Sequence, residues 1–165
     1  MLSKTVQDAI NDQIGKEFYS GYIYLQMSAY LQSVNLPGCA HWMRLQYQEE
    51  IKHGLKLYDY VIEREGHITL QALPQPRTDY KSPLEVFETA LAHEREVTSM
   101  INKLYALTQK ENDYPTTIEL QWFVTEQVEE EKNAGGIVEQ LKMVGDNKMG
   151  MIMLDRQLGA RAAGA

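Results

Sequence analysis

Five prolines divide this chain into long segments in which apolar residues recur at the spacing of an α-helix. They are Pro37, Pro74, Pro76, Pro83 and Pro115. Because proline is tolerated in the first turn of a helix but not in its interior, each long gap can hold one uninterrupted helix. The periodicity predicts four long helices and a shorter fifth, and no segment alternates like a β-strand. The predicted helices cover about 4–34, 39–65, 83–111, 116–144 and 148–159.

The predicted helix ends carry residues that satisfy free backbone groups. Ser82, Pro83 and Glu85 have the spacing of a capping box at the start of helix three. Thr116 and Glu119 repeat the cap-to-acid spacing and are expected to begin helix four. Glycines that can adopt a left-handed conformation are expected to end helices two, four and five, namely Gly66, Gly145 and Gly159.

The lengths of the connections predict the arrangement of the helices. The turns after helices one and three are short, so each of these helices is expected to pack antiparallel to the next one. The segment 66–82 can span about 56 Å at about 3.3 Å per residue, whereas a 27-residue helix is only about 40 Å long. The chain is therefore predicted to be all-α. It forms a four-helix bundle with one long crossover between helices two and three, plus a short C-terminal fifth helix, in a single domain over 1–165.

The charge balance limits the partners that the chain can have. It contains 16 Lys and Arg against 23 Asp and Glu, a net charge of −7, so nucleic-acid binding is not expected. A single cysteine, Cys39, excludes an intramolecular disulfide. The start of the chain does not read as a signal peptide, and no stretch approaches the roughly 18 apolar residues that a membrane helix needs. We therefore expect a cytoplasmic protein without a membrane partner.

Acidic residues interrupt the apolar face of every long helix near its middle. Apolar residues at 3–4 spacing define each face, and each face has a polar gap. The gaps hold Glu17, Glu50, Glu94 and Glu130, with Gln127 as a further polar residue in helix four. Buried, unpaired carboxylates cost several kcal/mol each and repel one another. Because no Lys or Arg occupies a matching position, the four acids predict a bound metal.

One histidine supports this prediction. Glu50 and His53 form a Glu-x-x-His pair on one helix face, so both can bind the same ion. Two divalent ions would balance the four carboxylates. Oxygen-rich ligation with one imidazole and no thiolate suits iron, manganese or magnesium better than structural zinc. Among these, a paired-metal site in a helical bundle is most often di-iron.

Five segments together carry a family resemblance over nearly the whole chain. They are Lys-Glu-Phe-Tyr-Ser at 16–20, Gln-Glu-Glu-Ile-Lys-His at 48–53, His-Glu at 93–94, Gln-Trp-Phe-Val-Thr-Glu-Gln-Val-Glu-Glu-Glu at 121–131 and Leu-Asp-Arg-Gln-Leu-Gly at 154–159. With these segments the chain resembles ferritins of the bacterial and archaeal non-haem type. None of the segments is specific alone, but their combination is.

The resemblance implies a ferritin-like bundle with ferroxidase activity. Ferritins of this type oxidise Fe(II) to Fe(III) with O₂ or peroxide at a di-iron centre within each subunit. They store the product as ferric oxyhydroxide inside a hollow homo-oligomeric shell of 24 subunits. The resemblance assigns Glu17, Glu50 and His53 to the first iron, with Glu50 bridging, and Glu94 and Glu130 to the second.

The resemblance also assigns residues around the di-iron centre. Tyr24 and Gln127 are expected beside it, and the alternative for Tyr24 is a core aromatic. A third iron site is implied at Glu49, Glu126 and Glu129, each one residue before a di-iron ligand or its neighbour. All three are therefore rotated alike, toward one side of the centre. The alternative for these three acids is a solvated face.

Two departures narrow the resemblance. Helix four has no Glu-x-x-His, which argues against a rubrerythrin, a ribonucleotide-reductase-like enzyme and a bacterioferritin. Ile51 stands where the haem-ligating methionine of bacterioferritin would be expected, so no haem is predicted.

Other functions are compatible with the same residues. A small di-iron oxidase or peroxidase could use the same centre without storing mineral, although it would not need an apolar fifth helix. A plain helical assembly protein, with its acids facing solvent, would be indifferent to metal. Gly135 and Gly136 could either bend helix four or permit a close contact, and the segment 161–165 is expected to be a frayed tail.

Overall fold

A computed structural model describes residues 2–163 of the chain, which contain five α-helices. They are α1 (Lys4–Ser33), α2 (Pro37–Glu63), α3 (Pro83–Lys110), α4 (Tyr114–Val144) and α5 (Lys148–Gly159). No strand occurs within residues 2–163, which confirms the all-α class. None of the described helices is both long and apolar enough to cross a membrane. The predicted domain over 1–165 also includes residues 1, 164 and 165, which lie outside the described part.

The start of α4 differs from the prediction. The helix begins at Tyr114, and its N-cap is Asp113, whose carboxylate accepts a hydrogen bond from the Thr116 backbone N–H at 3.3 Å. The prediction of Thr116 as the cap was therefore wrong. Since Pro115 is accommodated within the first helical turn, the cap must lie before the proline rather than after it.

The start of α3 and the end of α2 differ in detail from the predicted capping. Ser82 Oγ accepts a hydrogen bond from the Glu85 N–H at 3.1 Å, as expected for the cap of α3. The Glu85 carboxylate, however, accepts from the Lys81 N–H at 2.5 Å rather than from the cap residue itself. At the end of α2 the left-handed residue is Glu65, with a φ of 56°, and the glycine that was expected there, Gly66, follows it.

Contacts at the helix ends determine the topology. Ser28 Oγ, late in α1, donates to the Ala40 carbonyl, early in α2, at 2.8 Å, so α1 and α2 are antiparallel. Ser3, at the start of α1, contacts Glu111, just after α3, so α1 and α3 are antiparallel as well. Therefore α2 and α3 run parallel, and the predicted up-down-down-up bundle with one crossover is confirmed.

The crossover 66–82 follows the outer side of α1 from one end of the bundle to the other. Near its start, the Asn11 side chain donates to the His67 carbonyl at 2.9 Å. Near its end, the rings of Tyr30 and Tyr80 pack with centroids 5.2 Å apart. These contacts along α1 explain how a segment of this length without helix or strand is held in place.

Two apolar clusters fill the bundle and leave a polar layer between them. One cluster is built around Ile10, Ile14, Leu57, Ile101 and Leu120. The other is built around Met27, Met43, Phe87 and Leu141, and also includes Leu154 and Leu158 of α5. The four acids predicted from the gaps in the apolar faces lie in the polar layer between the two clusters.

The short helix α5 packs on the N-terminal end of α2. The α2 N-cap, Leu36, makes no side-chain capping bond, and the Asp155 carboxylate instead accepts from the Cys39 N–H at 2.8 Å. A Cβ at Gly38 would lie 1.7 Å from the Asp155 carbonyl oxygen. A glycine at this position is therefore required for α5 to approach α2 closely enough to cap it.

Replacing Gly38 by alanine is expected to lower the free energy of unfolding by about 3 kcal/mol, because the added methyl group would displace the α5 backbone. Guanidinium denaturation monitored by circular dichroism measures this. The matched control is Gly136→Ala in α4, where a Cβ would meet no described atom within 4 Å. The control should keep its stability or gain about 1 kcal/mol from helix propensity. Equal stability of the two variants would contradict the role of Gly38.

The glycine pair in α4 does not break the helix, which continues through Gly135 and Gly136 to Val144. A Cβ at Gly135 would lie 3.9 Å from Leu91, an ordinary contact. Neither glycine is therefore required by packing within the described part of the subunit.

Candidate metal centre

Each long helix contributes one carboxyl group to the polar layer of the bundle. None of the four side chains is more than 4% exposed. They are Glu17 of α1, Glu50 of α2, Glu94 of α3 and Glu130 of α4. Gln127 and His53 are buried in the same layer. Carboxyl groups this deeply buried need protons, hydrogen-bond donors or a cation.

Glu17, Glu50 and His53 form a group with metal-binding geometry. One ligand atom from each lies within 4.8 Å of the others. His53 Nδ1 lies 3.7 Å from Glu50 Oε2 and 3.9 Å from Glu17 Oε2. These separations are too long for hydrogen bonds, but they are close to the roughly 3.4 Å expected between donor atoms that share one ion.

An orphaned oxygen supports the same interpretation. Glu50 Oε1 is buried and has no hydrogen-bond partner among the described residues. Unsatisfied buried oxygens are rare, and they commonly indicate an absent ion or water. The donor set of carboxylates and one imidazole suits iron or manganese. The residues present therefore fit a divalent cation.

A second group shares the histidine with the first. Ligand atoms of His53, Glu126 and Glu130 also fall within 4.8 Å of one another. The sequence interpretation assigned Glu126 to a third site and left it out of the central group. In the structure Glu126 lies with Glu130 and His53 instead, and His53 is the residue that the two groups share.

Neutral donors hold three of the four central acids in position. Three glutamine side chains donate to them, Gln13 to Glu17 at 2.7 Å, Gln46 to Glu130 at 2.7 Å and Gln127 to Glu94 at 3.1 Å. The Tyr24 hydroxyl donates to the other oxygen of Glu94. Tyr24 and Gln127 thus lie against the acids, as expected from the sequence. The roles of Gln13 and Gln46 were missed, and their only signal was a position four residues before an acid.

Burial shifts the acid–base behaviour of the whole layer. Desolvation raises the pKa of Glu17 to about 7 and that of Glu130 to about 8. Desolvation, with repulsion from the other three acids, raises the pKa of Glu50 well above its usual range, and burial also raises the pKa of Glu94. Burial lowers the pKa of His53 to about 4. These shifts favour a neutral imidazole and a retained proton on Glu130 in the metal-free site at neutral pH, and a bound cation would replace that proton.

Two aromatic rings pack edge-on against the imidazole of His53. The Trp122 ring centroid lies 5.2 Å from that of His53, and the Phe123 centroid lies at 6.2 Å. They restrict the orientation of the imidazole. Both rings lie in the 121–131 segment that carries part of the family resemblance.

The predicted third-site acids are not assembled into one group. Glu126 is half-buried beside Glu130 and His53, and its pKa is raised by burial and by Glu129 and Glu49. Glu129 is exposed on α4. Glu49 forms a two-pronged salt bridge, with its carboxylate oxygens 2.8 and 3.0 Å from Arg161 Nη2.

This salt bridge corrects the expectation for the C-terminal segment. The segment 161–165 was expected to be a frayed tail, but Arg161 is half-buried and packs over the ring of Trp42 at 5.1 Å. The ring of His41 is 3.0 Å from the Arg161 carbonyl oxygen. The prediction was wrong at Arg161 because its contacts come from α2, more than a hundred residues earlier, which local sequence does not indicate. Residues 164 and 165 lie outside the described part.

The fold and the site together define a class of protein, an all-α bundle with a long crossover and a buried carboxylate–histidine centre suited to metal. Residues 7–144 match the family described as ferritin-like domain. The chain belongs to this family, and the resemblance seen in the sequence is confirmed.

Relatives match along nearly the entire chain. A bacterial non-heme ferritin of Bacteroides fragilis is 42% identical over 161 residues, covering 98% of this chain and 100% of that one. A bacterial non-heme ferritin of Staphylococcus haemolyticus is 37% identical over 162 residues, covering 98% of each. A solved structure described as a novel open pore ferritin from the archaeon Archaeoglobus fulgidus shares 42% identity with a TM-score of 0.97, covering 98% of this chain and 99% of that one.

Proposed function

We propose that this chain is an iron-storage ferritin with ferroxidase activity. It oxidises Fe(II) to Fe(III) at the central carboxylate site and deposits ferric oxyhydroxide inside a hollow shell of 24 copies. The observation that carries this proposal is the group of Glu17, Glu50 and His53, with one oxygen of Glu50 unpartnered among the described residues. Bacterial non-heme ferritins similar over nearly the full length support the same function.

Five side chains of the polar layer are proposed to bind the two irons. Glu17, Glu50 and His53 bind the first Fe(II), and Glu94 and Glu130 bind the second, with Glu50 between the two ions. Four carboxylates balance two divalent ions. The presence of Tyr24 and Gln127 on Glu94 supports this assignment, because their hydrogen bonds orient its carboxylate in the metal-free protein.

The redox balance requires two irons for each oxidant molecule. Each Fe²⁺ gives up one electron, and O₂ accepts the pair together with two protons to form hydrogen peroxide. Peroxide itself, as the alternative oxidant, would be reduced to water by the next two electrons. Because burial raises the pKa of Glu17 and of Glu130, Fe²⁺ binding should release protons from these side chains, where they are available to the reduced oxygen.

A third iron site at Glu49, Glu126 and Glu129 is part of the proposal. It is supported by the position of Glu126 beside Glu130 and by the repulsion that Glu49 and Glu129 exert on its charged form. An ion bound there would lie next to the central site, on a path between the site and the more exposed Glu129.

The proposed shell is supported by the exposed apolar residues of α5. Met149, Ile152 and Met153 are 65, 47 and 66% exposed in the isolated chain. Side chains of this kind in an exposed group indicate a contact with another subunit. A small di-iron oxidase that stores no mineral is the alternative function, and it would not need such a contact.

The experiment that tests storage is iron loading followed by size-exclusion chromatography with light scattering. Purified protein is mixed with Fe²⁺ without oxygen and then exposed to air, and iron per particle is measured across the elution peak. We expect a particle of about 24 chains that carries on the order of hundreds of ferric ions. A small oligomer with only about two irons per chain would contradict storage and leave an oxidase.

A further inference from the structure

One cation occupies the side of the centre where the third iron site is proposed. Arg161 Nη2 donates to both oxygens of Glu49, at 2.8 and 3.0 Å. Its Nη1 donates to Gln46 Oε1 at 2.5 Å, and the guanidinium packs over the ring of Trp42. The side chains of Arg161 and Glu49 are only 15% and 19% exposed. This is a built pocket for a guanidinium group rather than a surface ion pair.

Arg161 also acts on the central site through one amide group. Because Gln46 Oε1 accepts from Arg161, the amide is held with its Nε2 toward Glu130, to which it donates at 2.7 Å. A chain of hydrogen bonds therefore joins Arg161 to a predicted ligand of the second iron. With Arg161 bound, both oxygens of Glu49 and one oxygen of Glu130 are engaged.

We propose that Arg161 is an internal counter-ion that Fe²⁺ must displace to occupy the third site. The guanidinium and a metal ion cannot both bind the two oxygens of Glu49, so they compete. Displacement also frees the Gln46 amide to rotate and releases Glu130. Arg161 is thus a positioning residue that couples filling of the third site to the freedom of Glu130. This inference rests on the proposed function, because it needs iron at Glu49.

The position of Arg161 in the chain suits reversible release. The helix α5 ends at Gly159 with its cap at Ala160, so Arg161 lies beyond the helical segment. The Arg161 backbone N–H still donates to the Leu158 carbonyl oxygen at 3.3 Å, so release requires only rotation of the side chain about its own bonds and no movement of α5. Loss of the pocket contacts is offset by hydration of the freed guanidinium and by the bond between Glu49 and the ion.

The test is anaerobic calorimetric titration of full-length protein with Fe²⁺, comparing the unmodified chain with Arg161→Gln. We expect the third Fe²⁺ per subunit to bind about tenfold tighter in the variant, as removal of a charge-assisted competitor predicts. The matched control is Arg44→Gln, which removes the same charge from the exposed side of α2. The control should bind like the unmodified chain. Thermal unfolding confirms that the variants fold.

A double-mutant comparison gives a readout that a purely structural role of Arg161 would not change. In a Glu49→Gln background, Arg161→Gln should have a much smaller effect on Fe²⁺ affinity, since the competition for the Glu49 oxygens has already been removed and only the contact of Arg161 with Gln46 remains. A third ion that binds equally in the unmodified chain and in Arg161→Gln would overturn the inference and leave the proposed function intact. If neither the unmodified chain nor Arg161→Gln binds Fe²⁺ at the central site, both the inference and the proposed function are overturned.

Discussion

Replacing Glu50 by glutamine is expected to slow the initial oxidation of Fe²⁺ by more than about 100-fold, while the shell still assembles. Glu50 is the acid closest to the imidazole of His53, and one of its oxygens has no hydrogen-bond partner within residues 2–163. Glutamine keeps the size and the helix, but it removes one negative charge and one metal-binding oxygen. Stopped-flow absorbance of the ferric product after mixing with Fe²⁺ in air measures the rate.

The matched control for this prediction is Glu63→Gln, an isosteric change at an exposed position in the last turn of the same helix. It should leave the rate unchanged. An unchanged rate in Glu50→Gln, with assembly verified by light scattering, would mean that Glu50 does not bind the reacting iron. The same loss in both variants would indicate a general effect of surface charge on Fe²⁺ entry.

The metal-free protein is expected to lose stability as the pH rises from about 6.5 to about 8. Burial raises the folded-state pKa of Glu17 to about 7 and that of Glu130 to about 8, from 4.5. Between the unfolded and folded pKa values the folded state holds more protons, so the free energy of unfolding falls with rising pH. Each group contributes up to about 1.4 kcal/mol per pH unit. His53 has the opposite sign, but its pKa change acts below about 6.5.

Glu130→Gln removes the carboxyl group whose ionisation, with a pKa of about 8, accounts for the upper end of this pH range. At pH 8 the metal-free variant should be more stable than the unmodified chain, on the order of 2 kcal/mol, because the amide carries no charge to desolvate. The control Glu129→Gln changes an exposed neighbour and should have little effect. Unfolding of chelator-treated protein at pH 6.5 and pH 8 measures both variants. A stability that rises between these two pH values would contradict the assignment.

Metal should reverse the loss of stability at pH 8 in the unmodified chain. A divalent ion at 100 times its dissociation constant contributes about 2.7 kcal/mol per site. The gain should be smaller in Glu130→Gln, which has one fewer charged ligand. Stability in the metal-free protein and metal affinity are thus expected to change in opposite directions at Glu130. A plain helical assembly protein would show neither effect.

Much of the central site could be predicted because it follows from helix geometry alone. A residue in the 3–4 series of an apolar face lies in the core once the helix packs, so the four acids were found as gaps in those faces. The Glu50–His53 pair follows from the same period. The fold needed in addition only the lengths of the connections and the positions of the prolines.

The remaining residues depended on contacts between helices. Gln46 precedes Glu50 by one turn, yet its amide donates to Glu130 of α4. The carboxylate of Glu49, on the same helix, accepts hydrogen bonds from Arg161, although the sequence predicted that it would share an iron with Glu126 and Glu129. Asp155 caps α2 from a different helix. Periodicity indicates which way a side chain points, but not which distant side chain it meets.

The sequence by itself determined the helices, their up-down-down-up order and the four acids in the core, since these depend on local spacing and connection length. Only the tertiary structure decided how those acids are held in the metal-free protein. Their donors, and the guanidinium on Glu49, come from separate helices and from the segment after α5. The packing of whole helices decides which donor meets which acid, because a hydrogen bond forms only where two backbones bring donor and acceptor within about 3 Å.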